Sequence, residues 1–180
     1  MTDEISYSQD DSQEKDHFIF TLLCKRNDAE FERSNILDSK ASGIIGFAGL
    51  IIGLFGTLIS FLLGEMSQNT HFMFYYQSYR VFLFMGILSL AVSILSCIFA
   101  YTVKTYVIIP KPTALIEKYA KNENKSKIET LQIVGTLISD GITENSKIND
   151  EKAKFVKYGL YLFAFGMTLT VIFVCGLLMI

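Results

Sequence analysis

The chain contains little of what usually builds a disulfide-linked or metal-binding protein. Its 180 residues include no tryptophan, three cysteines, two histidines and two prolines. The cysteines show no CxxC spacing, so the sequence predicts neither a disulfide framework nor a zinc site. His17 and His71 are far apart in the sequence, which gives no pattern for a metal cluster.

Sequence patterns of catalysis and nucleotide binding are also missing. No HExxH, GxSxG, Walker A or GxGxxG sequence occurs in the chain. We therefore expect no enzymatic activity, no catalytic residues, no cofactor and no metal. The lysines are interspersed with acidic residues rather than gathered on one basic face, so nucleic acid is not an expected partner.

Charge is absent from three long blocks of the sequence. Residues 43–63, 81–101 and 159–180 each hold 21 or 22 residues without a charged side chain. A helix of that length spans roughly 30 Å, the thickness of the hydrocarbon core of a bilayer. The sequence therefore predicts an all-α integral membrane protein with three transmembrane helices, whose first partner is the lipid bilayer. Spans without a carboxylate also argue against an ion-coupled carrier.

The basic residues are unevenly distributed around these spans. Five precede the first span, one lies between the first and second spans, and ten lie in residues 104–157. Because loops rich in lysine and arginine stay on the cytoplasmic side, this count predicts a cytoplasmic N-terminus and a C-terminus outside.

Composition divides the rest of the chain into further segments. Residues 1–12 are acidic and without pattern, which predicts disorder. Residues 13–42 are expected to form a cytoplasmic or interfacial helix, and residues 64–80 a short outer loop. Residues 102–158 are expected to form a cytoplasmic helical segment, so that a small helical bundle accompanies the three spans.

Residues 128–140, IETLQIVGTLISD, place apolar side chains at helical spacing. An amphipathic helix of this kind needs an apolar partner, and the nearest candidate is the helix expected around residues 14–33. Gly141 follows directly and allows a break or bend before the last span.

The first span is rich in glycine, which costs a helix interior roughly 0.5–1 kcal/mol per residue relative to alanine. Small residues recur along it at steps of four and three, and we call these six residues the glycine seam: Ser42, Gly46, Gly49, Gly53, Gly56 and Ser60. In lipid, small residues let helix backbones approach closely, so the seam predicts a helix-packing or pore-lining surface. The seam could pack against the other spans of the same chain or against a second copy of the chain, or it could line the lumen of an oligomeric pore.

The seam continues toward the N-terminus into polar residues. The same steps lead back to Asp38 and then Asn35, and Lys40 lies beside them. These three residues are expected to form a polar mouth where the first span enters the cytoplasmic interface. We expect Asp38 to pair with Arg33 or Lys40.

The stretch FERSNILDSKASGIIGFAGLIIGL, residues 31–54, resembles the start of small multi-span proteins of the SLATT and Pycsar-effector type. In those proteins an Asp-x-Lys-Ala element enters a first span rich in small residues, and Asp38, Lys40, Ala41 and Ser42 match that element. The resemblance implies an effector in a prokaryotic inner membrane that oligomerises and permeabilises the membrane when nucleotide-signalled immunity is triggered. It also implies a nucleotide-signalling protein as a possible partner.

Two functions are consistent with these patterns. We predict a homo-oligomeric, pore-forming or channel-like effector of a prokaryotic defence system. The alternative is a non-catalytic structural or regulatory membrane subunit that docks a partner protein through its cytoplasmic helices.

Overall fold

The computed structural model describes residues 3–66, 70–103 and 127–178, and nearly all of them are helical. The three helices are α1, Asp3–Met66; α2, Thr70–Thr102; and α3, Lys127–Leu178. Each contains a stretch long and apolar enough to cross a membrane. No strand occurs in the part of the chain that the structure describes. The prediction of an all-α protein with three transmembrane helices is confirmed.

The helices extend well beyond the charge-free blocks. Helix α1 begins at Asp3, whereas the sequence predicts disorder for residues 1–12. No glycine or proline interrupts that stretch, so the long helix can continue through it at little cost. The outer loop predicted for residues 64–80 is also largely helical, because α1 continues to Met66 and α2 begins at Thr70.

The segment predicted as cytoplasmic, residues 102–158, is described only in part. Residues 104–126 contain both prolines and lie outside the described residues. Helix α3 then continues through Gly141 without the break that the sequence allowed. Its neighbours Ile138 and Ile142 are buried, and their packing favours an unbroken helix at this turn over the bend.

Two compact units make up the chain. One comprises residues 1–35 and 104–150, and the other residues 36–103 and 151–180. In the first unit, the amphipathic part of α3 packs against α1, as the sequence predicts for residues 128–140. A Cβ atom added to Gly135 would lie 3.6 Å from Cδ1 of Leu23, which is ordinary van der Waals contact.

The second unit brings parts of all three helices around two apolar clusters. One cluster contains the buried residues Ala41, Cys97, Ala100 and Val156. The other contains Leu83 and Phe173, with Phe55 packed against them. The rings of Phe55 and Phe173 meet edge to face with centroids 6.4 Å apart, the arrangement that aromatic pairs prefer. Each cluster thus joins α1 to both other helices.

Helices α2 and α3 lie in close contact where both carry glycine. A Cβ atom on Gly166 would lie 3.0 Å from the carbonyl oxygen of Gly86, and one on Gly86 would lie 3.3 Å from the carbonyl oxygen of Gly166. Glycine is needed at both positions because a side chain would meet backbone that cannot move aside. This contact fixes the distance between the second and third spans.

Candidate functional site

The glycine seam lies on an exposed face of α1 in the part of the chain that the structure describes. All six seam residues are exposed. A Cβ atom added at any of its four glycines would meet no heavy atom within 4 Å, apart from the backbone of its own helix turn. The seam is therefore a smooth, open strip along the first span.

A neighbouring face of α1 makes the contacts with the other two spans. Ala41 and Ala48 are fully buried there, and Phe55 packs on the Leu83–Phe173 cluster. At about 100° per residue, this face lies about a third of a turn from the glycine seam. Among the described residues, the contacts of α1 with the second and third spans are thus made by this face and not by the glycine seam. Bulkier apolar side chains on the adjacent face make that contact.

Two hydroxyl groups at the C-terminal end of the seam are satisfied within α1 itself. Ser60 Oγ donates to the carbonyl oxygen of Gly56 at 3.0 Å, and Thr57 Oγ1 donates to that of Leu54 at 2.7 Å. Such bonds back to the preceding turn let a hydroxyl reside in hydrocarbon without an outside partner. This end of the seam can therefore face lipid, a second helix or water without leaving either of these hydroxyl groups unpaired.

Asp38 is held by the two other helices of its unit. Lys152 Nζ lies 3.2 Å and 3.3 Å from the two carboxylate oxygens of Asp38. The Tyr101 hydroxyl donates to the backbone oxygen of Asp38 at 2.8 Å. The Lys152 side chain is only 10% exposed and that of Asp38 33%. These contacts join α1, α2 and α3 and balance the charge of Asp38.

The partner of Asp38 is therefore Lys152, and not Arg33 or Lys40 as the sequence predicted. Spacing along one helix could indicate only nearby cations, whereas Lys152 is 114 residues away in the sequence. The other two residues of the predicted mouth, Asn35 and Lys40, have exposed side chains.

A buried polar network in the other unit involves Glu30, whose side chain is only 4% exposed. Its carboxylate accepts hydrogen bonds from Arg26 at 3.1 Å and from Asn149 at 2.9 Å. Arg33 lies 3.6 Å from the same carboxylate and donates to Asp150 at 2.7 Å. The hydrogen bond to Asp150 is the largest cause of a raised pKa at Arg33. Sequence reasoning missed this network, although the spacing of Arg26, Glu30 and Arg33 was a signal for it.

A row of serines on α2, also missed from the sequence, binds the backbone of α3. The hydroxyls of Ser89, Ser93 and Ser96 donate to the carbonyl oxygens of Leu162, Gly159 and Phe155 at 2.8, 2.6 and 2.9 Å. Their steps of four and three were readable in the sequence, as in the seam. The carbonyl oxygens that accept these bonds could not be predicted, because every residue carries a backbone carbonyl and the sequence does not indicate which ones face the serines.

One groove of about 420 Å³ lies between α1 and α3 in the unit that contains Glu30. Ile19 and Leu23 line one wall, and Leu131 and Gly135 the other. Its lining is mostly apolar, and no cluster of chemically reactive side chains converges on it. Among residues 3–66, 70–103 and 127–178, no group of three His, Cys, Asp or Glu side chains is placed to hold a metal ion.

Comparison with protein families gives one finding for this chain. The model of the Pycsar effector protein domain matches residues 27–180, a range that includes the seam, the Asp38–Lys152 pair and all three spans. Searches of curated proteins and of solved structures found no match.

Proposed function

Because the chain belongs to the Pycsar effector family, and so is a membrane effector of an antiviral defence system, we propose that it assembles with copies of itself into a pore or channel. The glycine seam is the surface through which neighbouring copies meet or which lines the pathway. The effect on the cell is loss of the membrane barrier, and no catalytic step is involved.

The observation that carries this proposal is the exposure of the seam. Four glycines in register along one span have no neighbour within 4 Å of a Cβ position. Each costs the isolated helix up to about 1 kcal/mol relative to alanine. A contact outside the chain offsets that cost, because small residues let two backbones approach closely and van der Waals packing drives association in lipid.

The polar end of the seam is the proposed entrance to the pathway. Asn35 and Lys40 are exposed and contribute an amide and a positive charge. Asp38 contributes a carboxylate whose charge Lys152 balances. Because Lys152 balances Asp38, the remaining charge of the three residues at this entrance is the positive charge of Lys40.

We further propose that the N-terminus and residues 104–157 face the cytoplasm of a prokaryotic inner membrane and that the C-terminus faces outside. The lysine distribution supports this orientation. In a chain freed of native cysteines, Ser67→Cys should react with an impermeant maleimide in intact cells. Ser126→Cys should react only after permeabilisation. The reverse labelling pattern would contradict the orientation.

Sizing of the detergent-solubilised full chain tests the assembly. We expect mass photometry to show an oligomer for the unmodified chain and a monomer for the double variant Gly49→Leu/Gly53→Leu. The two leucines add bulk where the backbones of two copies would meet. Depolarisation of cells that express each variant should follow the same order.

Gly43→Leu is the matched control for that experiment. Gly43 is also an exposed glycine of α1 with open space at its Cβ position, but it lies off the seam. The control should assemble and depolarise cells as the unmodified chain does. A strictly monomeric unmodified chain, or equal loss of assembly in the control, would contradict the proposal.

A second candidate function is suggested by the groove between α1 and α3. In this alternative, the chain is a structural or regulatory subunit that docks a partner there, such as a nucleotide-signalling protein of the same defence system. Leu23→Arg would place a charge in the groove. Loss of activity on this change with unaltered oligomer size would favour the docking function, whereas loss of activity only with seam variants would favour the pore.

A further inference from the structure

Helix α3 carries lysines and tyrosines on one exposed face at the start of its charge-free block. We call Lys154, Lys157, Tyr158 and Tyr161 the lysine–tyrosine face; all four side chains are exposed, Tyr158 by 62% and Tyr161 by 60%. Lys157, Tyr158 and Tyr161 follow Lys154 by three, four and seven residues. The four side chains therefore lie along one side of the helix. No acidic residue follows Glu151 in the chain.

The two residue types match the two layers of a membrane surface. Tyrosine favours the boundary between hydrocarbon and headgroups, where its ring is in an apolar layer and its hydroxyl is in water. Lysine extends its apolar stem along the helix and places its ammonium group among the headgroups. On α3 the lysines come first and Tyr161 lies inside the charge-free block, which is the order that entry into a bilayer requires.

Contacts within the chain set the position of this face. Lys157 Nζ lies 5.8 Å from the centroid of the Tyr161 ring, within the range of a cation–π interaction. One turn before Lys157, the hydrogen bonds of Lys152 to Asp38 anchor α3 to α1. The remaining lysines, Lys154 and Lys157, therefore project from a fixed part of the helix.

We propose that the lysine–tyrosine face binds the headgroup of an anionic phospholipid, with the lipid phosphate at Lys154 and Lys157. Charge complementarity favours this occupant, since two exposed ammonium groups lie just before the charge-free block with no acid between them in the sequence. The proposal depends on the membrane location of the spans and holds whether or not the chain forms a pore.

Native mass spectrometry of the full chain in detergent micelles tests the proposal. The micelles carry equal amounts of dioleoyl phosphatidylglycerol and dioleoyl phosphatidylcholine, and the ratio of the two bound lipids is measured. The unmodified chain should prefer phosphatidylglycerol. Each lysine replaced by glutamine should lower that preference about fivefold, which corresponds to about 1 kcal/mol for one lysine near an anionic surface.

Three controls make the result specific. Lys147 is also an exposed lysine of α3, but it lies about two turns before the face and so further from the charge-free block. Lys147→Gln should therefore leave the preference unchanged. Lys154→Arg/Lys157→Arg keeps both charges and should keep the preference. An excess of soluble glycerol phosphate should not displace the bound phosphatidylglycerol, because it lacks the acyl chains.

Three outcomes would overturn the proposal. The first is a preference that survives Lys154→Gln/Lys157→Gln in a variant that unfolds at the same temperature as the unmodified chain. The second is an equal loss in Lys147→Gln, which would mean that general positive charge, and not this face, attracts the lipid. The third is displacement by glycerol phosphate, which would indicate a site for soluble phosphates.

Discussion

The glycines of the first span differ sharply from those of the second and third spans. In α2 and α3, Gly86, Gly159 and Gly166 lie against another helix, and a Cβ atom added there would come within 3.0 Å of a neighbouring atom. In α1, the four glycines of the seam face open space. The same residue type in similar apolar helices thus has two different environments.

This difference shows which helix–helix contacts are made within one copy of the chain. The contact between α2 and α3 is made within one copy. Glycines let the two backbones approach, and serines of α2 donate hydrogen bonds to carbonyl oxygens of α3. Helix α1 uses alanine and larger apolar residues for its contacts within the chain and leaves its smallest residues outside. If small residues on a span serve for close packing between helices, then the helix that packs against the glycine seam belongs to another molecule.

The largest effect is expected when a side chain is added where α2 and α3 are already in close contact. Gly166→Leu would place a side chain where the Cβ position is already 3.0 Å from the Gly86 carbonyl oxygen and 2.9 Å from Cγ of Leu90. We expect it to destabilise the chain by about 3 kcal/mol or more, because backbone cannot move aside. Thermal unfolding in detergent measures this. An unfolding temperature equal to that of the unmodified chain would mean that α2 and α3 are not in close contact.

A smaller effect than that of Gly166→Leu is expected at the ion pair that joins α1 to α3 near the polar end of the seam. Asp38→Asn should cost about 1–2 kcal/mol, because it removes a carboxylate that faces the buried ammonium group of Lys152, while Asp38 itself is partly exposed. Lys152→Met in the same chain should recover part of that loss. A double-mutant cycle on the unfolding free energy gives the coupling. A coupling near zero would show that the pair contributes nothing to the contact.

A substitution by alanine should change stability in opposite directions in the two regions. Gly49→Ala adds a methyl group in open space and should stabilise the monomer by about 0.5–1 kcal/mol through helix propensity. Gly159→Ala adds the same group 2.5 Å from the Sγ atom of Cys97 and should destabilise by about 1–3 kcal/mol. Unfolding is compared at a dilution where both variants are monomeric. The same sign for both would remove the distinction between the regions.

The smallest effect on the unfolding free energy is expected when a single hydroxyl group is removed, and its size should differ between the two regions. Ser93→Ala removes a buried bond to the Gly159 carbonyl oxygen on another helix and should cost about 0.5–1.5 kcal/mol. Ser60→Ala removes a bond within its own helix and should change the unfolding free energy by less than about 0.5 kcal/mol. Equal losses at both positions would contradict the assignment of Ser93 to a contact between helices.

Local sequence patterns were enough to predict the spans. Hydrocarbon thickness and the absence of charge from residues 81–101 leave few alternatives to a transmembrane helix. The pairing of residues 128–140 with the N-terminal part of α1 was also predictable, because an amphipathic helix must cover its apolar face. The extent of the helices was not, since α1 continues to Asp3 through residues with no apolar pattern.

Contacts between distant residues were beyond the sequence. The six seam positions could be read from their spacing, but spacing does not say whether a face points into the chain or away from it. Asp38 was expected to bind a cation on its own helix, and its partner Lys152 lies 114 residues further along the chain. Residue types indicate which groups need a partner, and only the packing of the helices indicates which partner they find.

Disulfide crosslinking of the chain in native membranes tests most directly whether the glycine seam joins copies of this protein. In a chain freed of native cysteines, one cysteine is introduced at Ser42 on the seam, at Phe47 on another exposed face, or at Ala48 on the packed face. A disulfide forms only when two Cα atoms come within about 7 Å. We predict oxidised dimers for Ser42→Cys and none above background for Phe47→Cys or Ala48→Cys. Dimers from Phe47→Cys without dimers from Ser42→Cys would show that copies meet through a different face and would contradict the account.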